Sequence, residues 1–397
     1  MMSSLSAPRI HPGPWRDPKR HAWLVALGVP MLAGAGPLLW LTWPSPLALW
    51  VPVLLIYGGG AALDALLGTD RANPPEWAVP QLEGDPYYRR ITWALVPLLW
   101  LALVGAAWFS QHADLGGLAQ AGLILSTGLV GGFCINLGHE LGHQRGAVDR
   151  WLAKAVLAPT GYGHFTIEHN RGHHRDVATP DDPASSRMGE SIWRFARREL
   201  PGAWRRARAL EAARLRASGH AVLGWRNEIV HTGVVTLAFW GVLVVWLGPG
   251  VLAFLLPTAL WANFQLTSAN YVEHYGLLRR LGPDGRPERC QPCHSWNSNH
   301  LFSNWATFHL QRHADHHAHP TRRYPALRHF DAAPQLPSGY FGMFPLAYVP
   351  WLWFRVMDRR LVEAVGGDPE RVNFDPRRRA GRLALFPQPA RDRSPAM

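Results

Sequence analysis

Residues 91–144 read ITWALVPLLWLALVGAAWFSQHADLGGLAQAGLILSTGLVGGFCINLGHELGHQ. This stretch contains no Lys or Arg, and neither do residues 21–70 or residues 227–278. A membrane-spanning helix needs about 20 predominantly apolar residues, so each stretch is long enough for two helices and a turn. We therefore predict six membrane spans, at residues 22–43, 46–67, 91–111, 116–138, 230–247 and 250–270.

The composition of the 397-residue chain excludes several other classes of protein. Only 17% of the residues are charged, against about 25% in typical soluble domains, and 48% are hydrophobic. The three cysteines are too few for a disulfide framework. We therefore exclude a soluble enzyme, a nucleic-acid-binding module and a secreted disulfide-rich domain. The predicted fold class is an all-α polytopic membrane protein.

The net charge of +12 resides in the segments between the apolar stretches. Cytoplasmic loops of membrane proteins carry the excess of Lys and Arg, so we predict that these segments and both termini are cytoplasmic. The predicted organisation is an N-terminal arm (1–21), one membrane domain (22–360) and a basic, Pro/Arg-rich C-terminal tail (361–397). Anionic lipid or an acidic soluble protein would complement this charge, and a basic surface without any partner is the alternative.

Histidine occurs in three boxes and at one isolated position. The boxes are H-E-L-G-H, H-N-R-G-H-H and H-A-D-H-H, and the isolated residue lies in N-Y-V-E-H-Y-G. The first box lies at the inner end of the fourth predicted span, and the isolated residue lies just past the inner end of the sixth. The other two boxes are in predicted cytoplasmic segments, so all these imidazoles can converge at one membrane face. They are His139, His143, His169, His173, His174, His274, His313, His316 and His317.

Nine imidazoles are more than one ion can hold, so we predict two metal ions with four or five ligands each. Imidazole suits Fe, Cu, Zn and Ni, and the spacing does not choose among them. Neutral ligands leave the charge of the ions uncompensated. Glu140, Glu168 and Glu273 each adjoin a box histidine. We expect these carboxylates to orient the rings, with direct ligation as the alternative.

The sequence around these boxes resembles the integral-membrane alkane hydroxylases (alkane 1-monooxygenases). The resemblance rests on three runs and extends over nearly the whole chain. They are E-H-N-R-G-H-H-R-D-V-A-T-P-D-D-P-A-S-S-R-M-G-E-S at residues 168–191, N-Y-V-E-H-Y-G-L at 270–277 and L-Q-R-H-A-D-H-H-A at 310–318. The histidine boxes alone would also fit membrane fatty-acid desaturases and xylene monooxygenases.

This resemblance implies a non-haem di-iron centre held by the nine histidines, in a multi-pass protein of the bacterial inner membrane. It further implies terminal hydroxylation of medium- and long-chain n-alkanes with O2 and electrons from rubredoxin, which an NAD(P)H-dependent rubredoxin reductase reduces. The first box departs from the family, because Gln144 and Arg145 follow where Lys is usual. Since no cysteine follows Cys293, we expect rubredoxin to be a separate protein.

The second predicted span offers a candidate substrate channel. Val53, Ile56, Tyr57, Gly60 and Asp64 fall on one face of a regular α-helix, and we expect the first four to line the channel. The alternative is that this face packs against another helix. The remaining functional alternative is a non-catalytic metal-binding membrane protein, such as a transporter. A transporter would place ionisable groups midway through several spans, and these spans carry few.

Overall fold

The computed structural model describes residue 13 and residues 15–387, and it is all-helical. Short 3-10 turns and irregular loops join the helices. The helices are α1 (Ala22–Thr42), α2 (Pro46–Leu67), α3 (Val79–Gly84), α4 (Pro86–His112), α5 (Gly117–Gly142), α6 (Ala147–Leu157), α7 (Phe165–Glu168, His169–His173 and His174–Asp176), α8 (Ile192–Ala217), α9 (Glu228–Leu247), α10 (Pro249–His274), α11 (Leu301–Ala306), α12 (His313–Ala318), α13 (Tyr340–Tyr348), α14 (Pro350–Ala364) and α15 (Arg379–Leu383).

Six of these helices are long and apolar enough to cross a membrane, namely α1, α2, α4, α5, α9 and α10. The prediction of a six-span, all-α membrane protein is therefore confirmed. Two spans continue past their predicted C-terminal ends: α5 continues to Gly142 and α10 to His274. Hydropathy marks only the apolar part of a helix, whereas backbone hydrogen bonds extend through polar residues. These extensions carry His139 and His274 on regular helix.

Close packing of α5 against α10 forms the centre of the membrane region. A side chain at Gly131 would place its Cβ 2.7 Å from Cβ of Ala262, and one at Gly128 would lie 2.9 Å from the backbone oxygen of Thr258. Small residues allow membrane helices to approach this closely. The most apolar part of α5 is 61% buried, against 17% for α9. The pair α5 and α10 is thus a rigid support for the histidines at its ends.

Outside the spans, the helix predicted near residues 191–216 is present as α8. The aromatic segment after residue 340 forms two helices, α13 and α14, which are separated at Val349 because Pro350 disfavours a helical residue before it. Helix α13 contacts both α2 and α10. It therefore closes the space between these two spans.

The C-terminal segment packs against the rest of the protein as far as the structure describes it. Phe374 and Phe386 are buried in the same hydrophobic cluster as Met188. Asp375 accepts hydrogen bonds from the guanidinium of Arg194, the shorter at 2.6 Å. Residues 361–387, which we placed in a tail, therefore contribute to the core, while residues 388–397 lie outside the described part of the chain.

Candidate metal centre

The first histidine box lies at the end of α5. His139 is in the last turn, and His143 is the residue that follows the helix. Their ring centroids are 4.9 Å apart, as expected for residues four apart on one helical face. Both side chains are buried. The first box thus places two imidazoles next to each other at the C-terminal end of α5.

The second box interrupts α7 with a π-helical turn at His169–His173. A regular α-helix would place His169 and His173 on one face. The wider turn instead brings Nε2 of His174 within 3.1 Å of Nε2 of His169, and His173 faces another direction. The π turn therefore divides one box between two ligand groups.

The third box is the short helix α12, and His274 is the last residue of α10. Nε2 of His313 lies 2.9 Å from Nε2 of His317 and 3.1 Å from Nε2 of His274. His316 faces the first box, with its Nε2 2.9 Å from Nε2 of His139. This box also contributes to both groups.

The nine imidazoles form two groups, and within each the ligand atoms all lie within 4.8 Å of one another. All are buried except the half-buried His174. In several pairs two Nε2 atoms face each other at 2.9–3.1 Å, a spacing that suits lone pairs directed at a common ion. The first group is His139, His143, His169, His174 and His316, and the second is His173, His274, His313 and His317. The arrangement is consistent with a di-metal site.

Burial favours the neutral form of four of these imidazoles. It lowers the pKa of His143, His169, His313 and His316 well below the usual value, and the neighbouring imidazoles lower the pKa further. A histidine must be neutral to bind a metal through its ring nitrogen. At neutral pH protons therefore compete little with a metal ion for these four ring nitrogens.

Asp182 is the carboxylate that orients a ring of the second group, and the sequence analysis missed it. Its Oδ2 accepts a hydrogen bond from Nδ1 of His173 at 2.9 Å, so Nε2 of that ring is left for the ion. Burial would raise the pKa of Asp182, but His173 and the hydroxyl of Ser185 hold it well below its usual range. Its position in T-P-D-D-P, within the quoted run of residues 168–191, was the available signal.

Of the three glutamates singled out, one contacts a histidine of the two groups. Oε2 of Glu273 is 3.3 Å from Nε2 of His313, and its Oε1 accepts a hydrogen bond from Tyr340 at 2.5 Å. Glu168 instead pairs with Arg206 at 3.7 Å, and the side chain of Gln144 lies beside Glu140. Glu273 is thus placed at the ligand atoms.

An apolar cavity adjoins both groups. His139 and His169 of the first group and His313 of the second line it, together with Glu273. The remaining wall is mainly apolar. It includes Ile56, Leu129, Phe133, Leu266, Leu310, Phe341 and Phe344. A cavity of this kind would hold a hydrocarbon chain beside the imidazoles.

The four candidate channel residues of α2 occupy two different positions. Ile56 and Tyr57 line the cavity. Val53 packs in the hydrophobic cluster around Ile56, and Gly60 lies against Phe341, so that a Cβ there would meet the Phe341 ring at 2.7 Å. A π-helical turn at Leu55–Gly59 shifts the helical face that a regular α-helix would present.

Asp64, at the end of the same face, has a structural contact. Its Oδ1 accepts a hydrogen bond from the backbone nitrogen of Ser303 at 2.8 Å, and its Oδ2 accepts from the Ser303 hydroxyl. It therefore fastens α2 to α11.

Comparison with known proteins places this architecture in a family. Residues 115–347 match the fatty acid desaturase family. The chain is 48% identical to alkane 1-monooxygenase 1 of Alcanivorax borkumensis over 91% of this chain and 89% of the relative. It is also 48% identical to alkane 1-monooxygenase of Ectopseudomonas oleovorans over 93% of this chain and 92% of the relative. The chain belongs to the alkane 1-monooxygenase family.

Membership of the alkane 1-monooxygenase family makes the chain an oxidoreductase. A more distant relative is the xylene/toluene monooxygenase hydroxylase component XylM of Pseudomonas putida, at 27% identity over 76% of this chain and 81% of the relative. The resemblance inferred from the quoted runs is therefore confirmed. The similarity to alkane 1-monooxygenases extends through the membrane spans as well as the histidine boxes.

Proposed function

We propose that this protein hydroxylates the terminal methyl group of medium- and long-chain n-alkanes. The overall reaction is RH + O2 + 2 e⁻ + 2 H⁺ → ROH + H2O. The observation that carries the proposal is the contact of both imidazole groups with one largely apolar cavity. Family membership supports the same reaction.

The nine histidines fit a pair of iron ions. Neutral, buried imidazoles are good ligands for iron, and the division into five and four donors gives each ion enough of them. Glu273 and Asp182 place carboxyl groups beside the second group. When bound, the iron pair supplies the reduction of O2 and the oxidation of the C–H bond, which side chains alone do not provide.

The protein contributes position and exclusion of water. The apolar wall holds the alkyl chain by burial alone, because an alkane offers no polar group to recognise. Phe341 would constrain the chain laterally, while His139 and His313 would lie next to its terminal methyl group. The Tyr340 hydroxyl positions the Glu273 carboxyl group next to His313.

The electrons would come from a separate, acidic rubredoxin that a rubredoxin reductase reduces. The formal charge of +12 supports a basic docking face, as does α8, whose exposed residues include Arg197, Arg205 and Arg208. We place this face, both termini and the metal centre on the cytoplasmic side of a bacterial inner membrane. We expect the KM for rubredoxin to rise with NaCl concentration, and a salt-independent KM would contradict electrostatic docking.

The decisive experiment is whole-cell conversion of an alkane series with a co-expressed rubredoxin system. The expected product is the 1-alkanol. Conversion of acyl chains to alkenes would instead indicate a desaturase. Oxidation restricted to methylated aromatic rings would indicate a xylene-type hydroxylase, and hydroxylated fatty acids would indicate a fatty-acid hydroxylase. Absence of any oxidised product, in cells that contain the iron-loaded protein, would contradict the proposed function.

A further inference from the structure

Four polar side chains form a hydrogen-bonded cluster between α2, α10 and α13. The hydroxyl of Tyr57 donates to Oε1 of Gln265 at 2.6 Å and lies 2.9 Å from the hydroxyl of Tyr348. The Tyr348 hydroxyl also lies 3.2 Å from that of Ser268 and 3.4 Å from Oε1 of Gln265. We call these four residues, Tyr57, Gln265, Ser268 and Tyr348, the polar latch.

Three residues of the polar latch lie within membrane spans, and the fourth, Tyr348, is the last residue of α13. Tyr57 is in the π turn at the middle of α2, and Gln265 is nine residues before His274 on α10. Polar groups in the hydrocarbon region must satisfy one another, since no water is present there to do so. The latch achieves this across three elements, and the side-chain nitrogen of Gln265 bonds to the backbone of Trp261.

One face of α10 shows which end of the cavity the latch occupies. Gln265, Leu266, Ala269, Asn270 and Glu273 all line the cavity, with spacings of one, four, five and eight residues. The cavity therefore runs along α10 from Gln265 to Glu273, where it meets the imidazoles. The nine residues from Gln265 to His274 span about 13 Å at about 1.5 Å per residue.

We propose that the polar latch closes the end of the cavity opposite the metal centre and sets the longest alkane that fits. This inference rests on the proposed hydroxylase function. Apolar side chains alone could be displaced gradually as the bound alkane becomes longer. Hydrogen bonds that join α2, α10 and α13 make the end wall resistant to displacement, because opening it would leave buried hydroxyl and amide groups without partners.

The test removes hydroxyl groups and keeps the aromatic rings. The double variant Tyr57→Phe/Tyr348→Phe loses both hydroxyl contacts with Gln265 and the contact between the two tyrosines. The matched control is Tyr271→Phe, which deletes a buried hydroxyl that bonds to the backbone of Glu190. Tyr271 is on α10 but does not line the cavity.

Each purified protein, iron-loaded and in nanodiscs, is given an equimolar mixture of octane, dodecane and hexadecane. We expect the ratio of hexadecanol to octanol to rise several-fold in the double variant and to stay at the wild-type value in Tyr271→Phe. The ratio within one preparation does not change if part of the protein fails to fold. A ratio equal to wild type in the double variant, or an equal rise in the control, would overturn the latch.

Binding separates this proposal from the hydroxylase proposal. Retention of deuterated hexadecane by the nanodisc-embedded protein, measured against empty nanodiscs, requires no turnover. We expect retention to increase in the double variant. If wild-type protein forms no alkanol while the variant still retains more hexadecane, the latch stands and the hydroxylase function fails. If wild type is active and neither measurement changes, the latch alone fails.

Discussion

The two ends of the cavity are built in different ways. At the imidazole end, nine histidines come from four segments, and two carboxylates contact rings of the second group. At the opposite end, Tyr57 and Gln265 line the cavity together with apolar side chains from distant parts of the sequence, such as Ile56 and Phe344. The first end is suited to binding metal ions, and the second is suited to limiting the length of the bound alkane. This difference suggests that rate and substrate range can be changed independently.

The largest effect is expected from removing one imidazole of either group. His316→Ala affects the first group and His274→Ala the second. We expect each variant to lose alkanol formation for every alkane length, because the reaction requires both ions. Each should also contain less iron than the wild-type protein, for which we propose about two iron ions per chain. Metal analysis after anaerobic iron loading and gas chromatography of the products measure the two quantities.

The control is His112→Ala, which removes the histidine at the C-terminal end of α4. His112 belongs to neither imidazole group. It should keep wild-type iron content and activity. If His316→Ala or His274→Ala changed only the chain-length profile, the assignment of functions to the two ends would be wrong. Wild-type protein that holds one zinc and no iron would contradict the di-iron centre itself.

The fold could be predicted from the sequence because hydrophobic length is a local property. Each pair of spans lies in a stretch without Lys or Arg, and the six helices follow from that pattern. The predicted helix ends were less accurate, since the polar turns that contain His139 and His274 lack the hydrophobicity typical of a membrane-spanning helix. The packed position of residues 361–387 was missed, because contacts such as Asp375 with Arg194 join positions distant in sequence.

A large but selective effect is expected at the apolar end. Ile56→Trp adds volume inside the cavity, where Ile56 is 5% exposed. We expect the variant to lose turnover of long alkanes and keep turnover of short ones, with unchanged iron content. Relative turnover across an alkane series, at matched iron content, is the measurement.

Val53→Trp is the matched control, because Val53 is one helical turn away on α2 and does not line the cavity. Its chain-length limit should stay at the wild-type value. Gly60→Trp is unsuitable for this purpose, since any side chain there would collide with Phe341. If Ile56→Trp reduced the turnover of alkanes of all lengths equally, this part of the cavity wall would not limit the length of the substrate.

The membership of the candidate site was predictable, but its internal arrangement was not. Histidine boxes identify donors, and the ends of α5 and α10 bring them together. The π turns at His169–His173 and Leu55–Gly59 are not visible in a sequence pattern that assumes 3.6 residues per turn. The first turn assigns His174 rather than His173 to the group of His169. The second lies between Val53 and Gly60 and contains Ile56 and Tyr57, the two residues of this face that line the cavity.

The smallest effect is expected where the two imidazole groups differ from each other. In the second group Asp182 is hydrogen-bonded to His173, whereas among the described residues no carboxylate bonds to a ring of the first group in this way. Asp182→Asn keeps the shape of the side chain and removes its charge. We expect affinity for the ion of the second group to fall about 10–100-fold, the usual effect of removing such a partner.

The measurement for Asp182→Asn is iron retention against increasing chelator concentration. Wild type should release its two ions over a narrow range, whereas the variant should lose one ion early and the other at the wild-type concentration. Asp375→Asn is the control, because it removes a buried carboxylate that pairs with Arg194 away from both groups. Early loss of both ions would mean that the groups are energetically coupled. Unchanged retention would mean that His173 is oriented by packing alone, and that the charge of Asp182 contributes nothing to the difference between the groups.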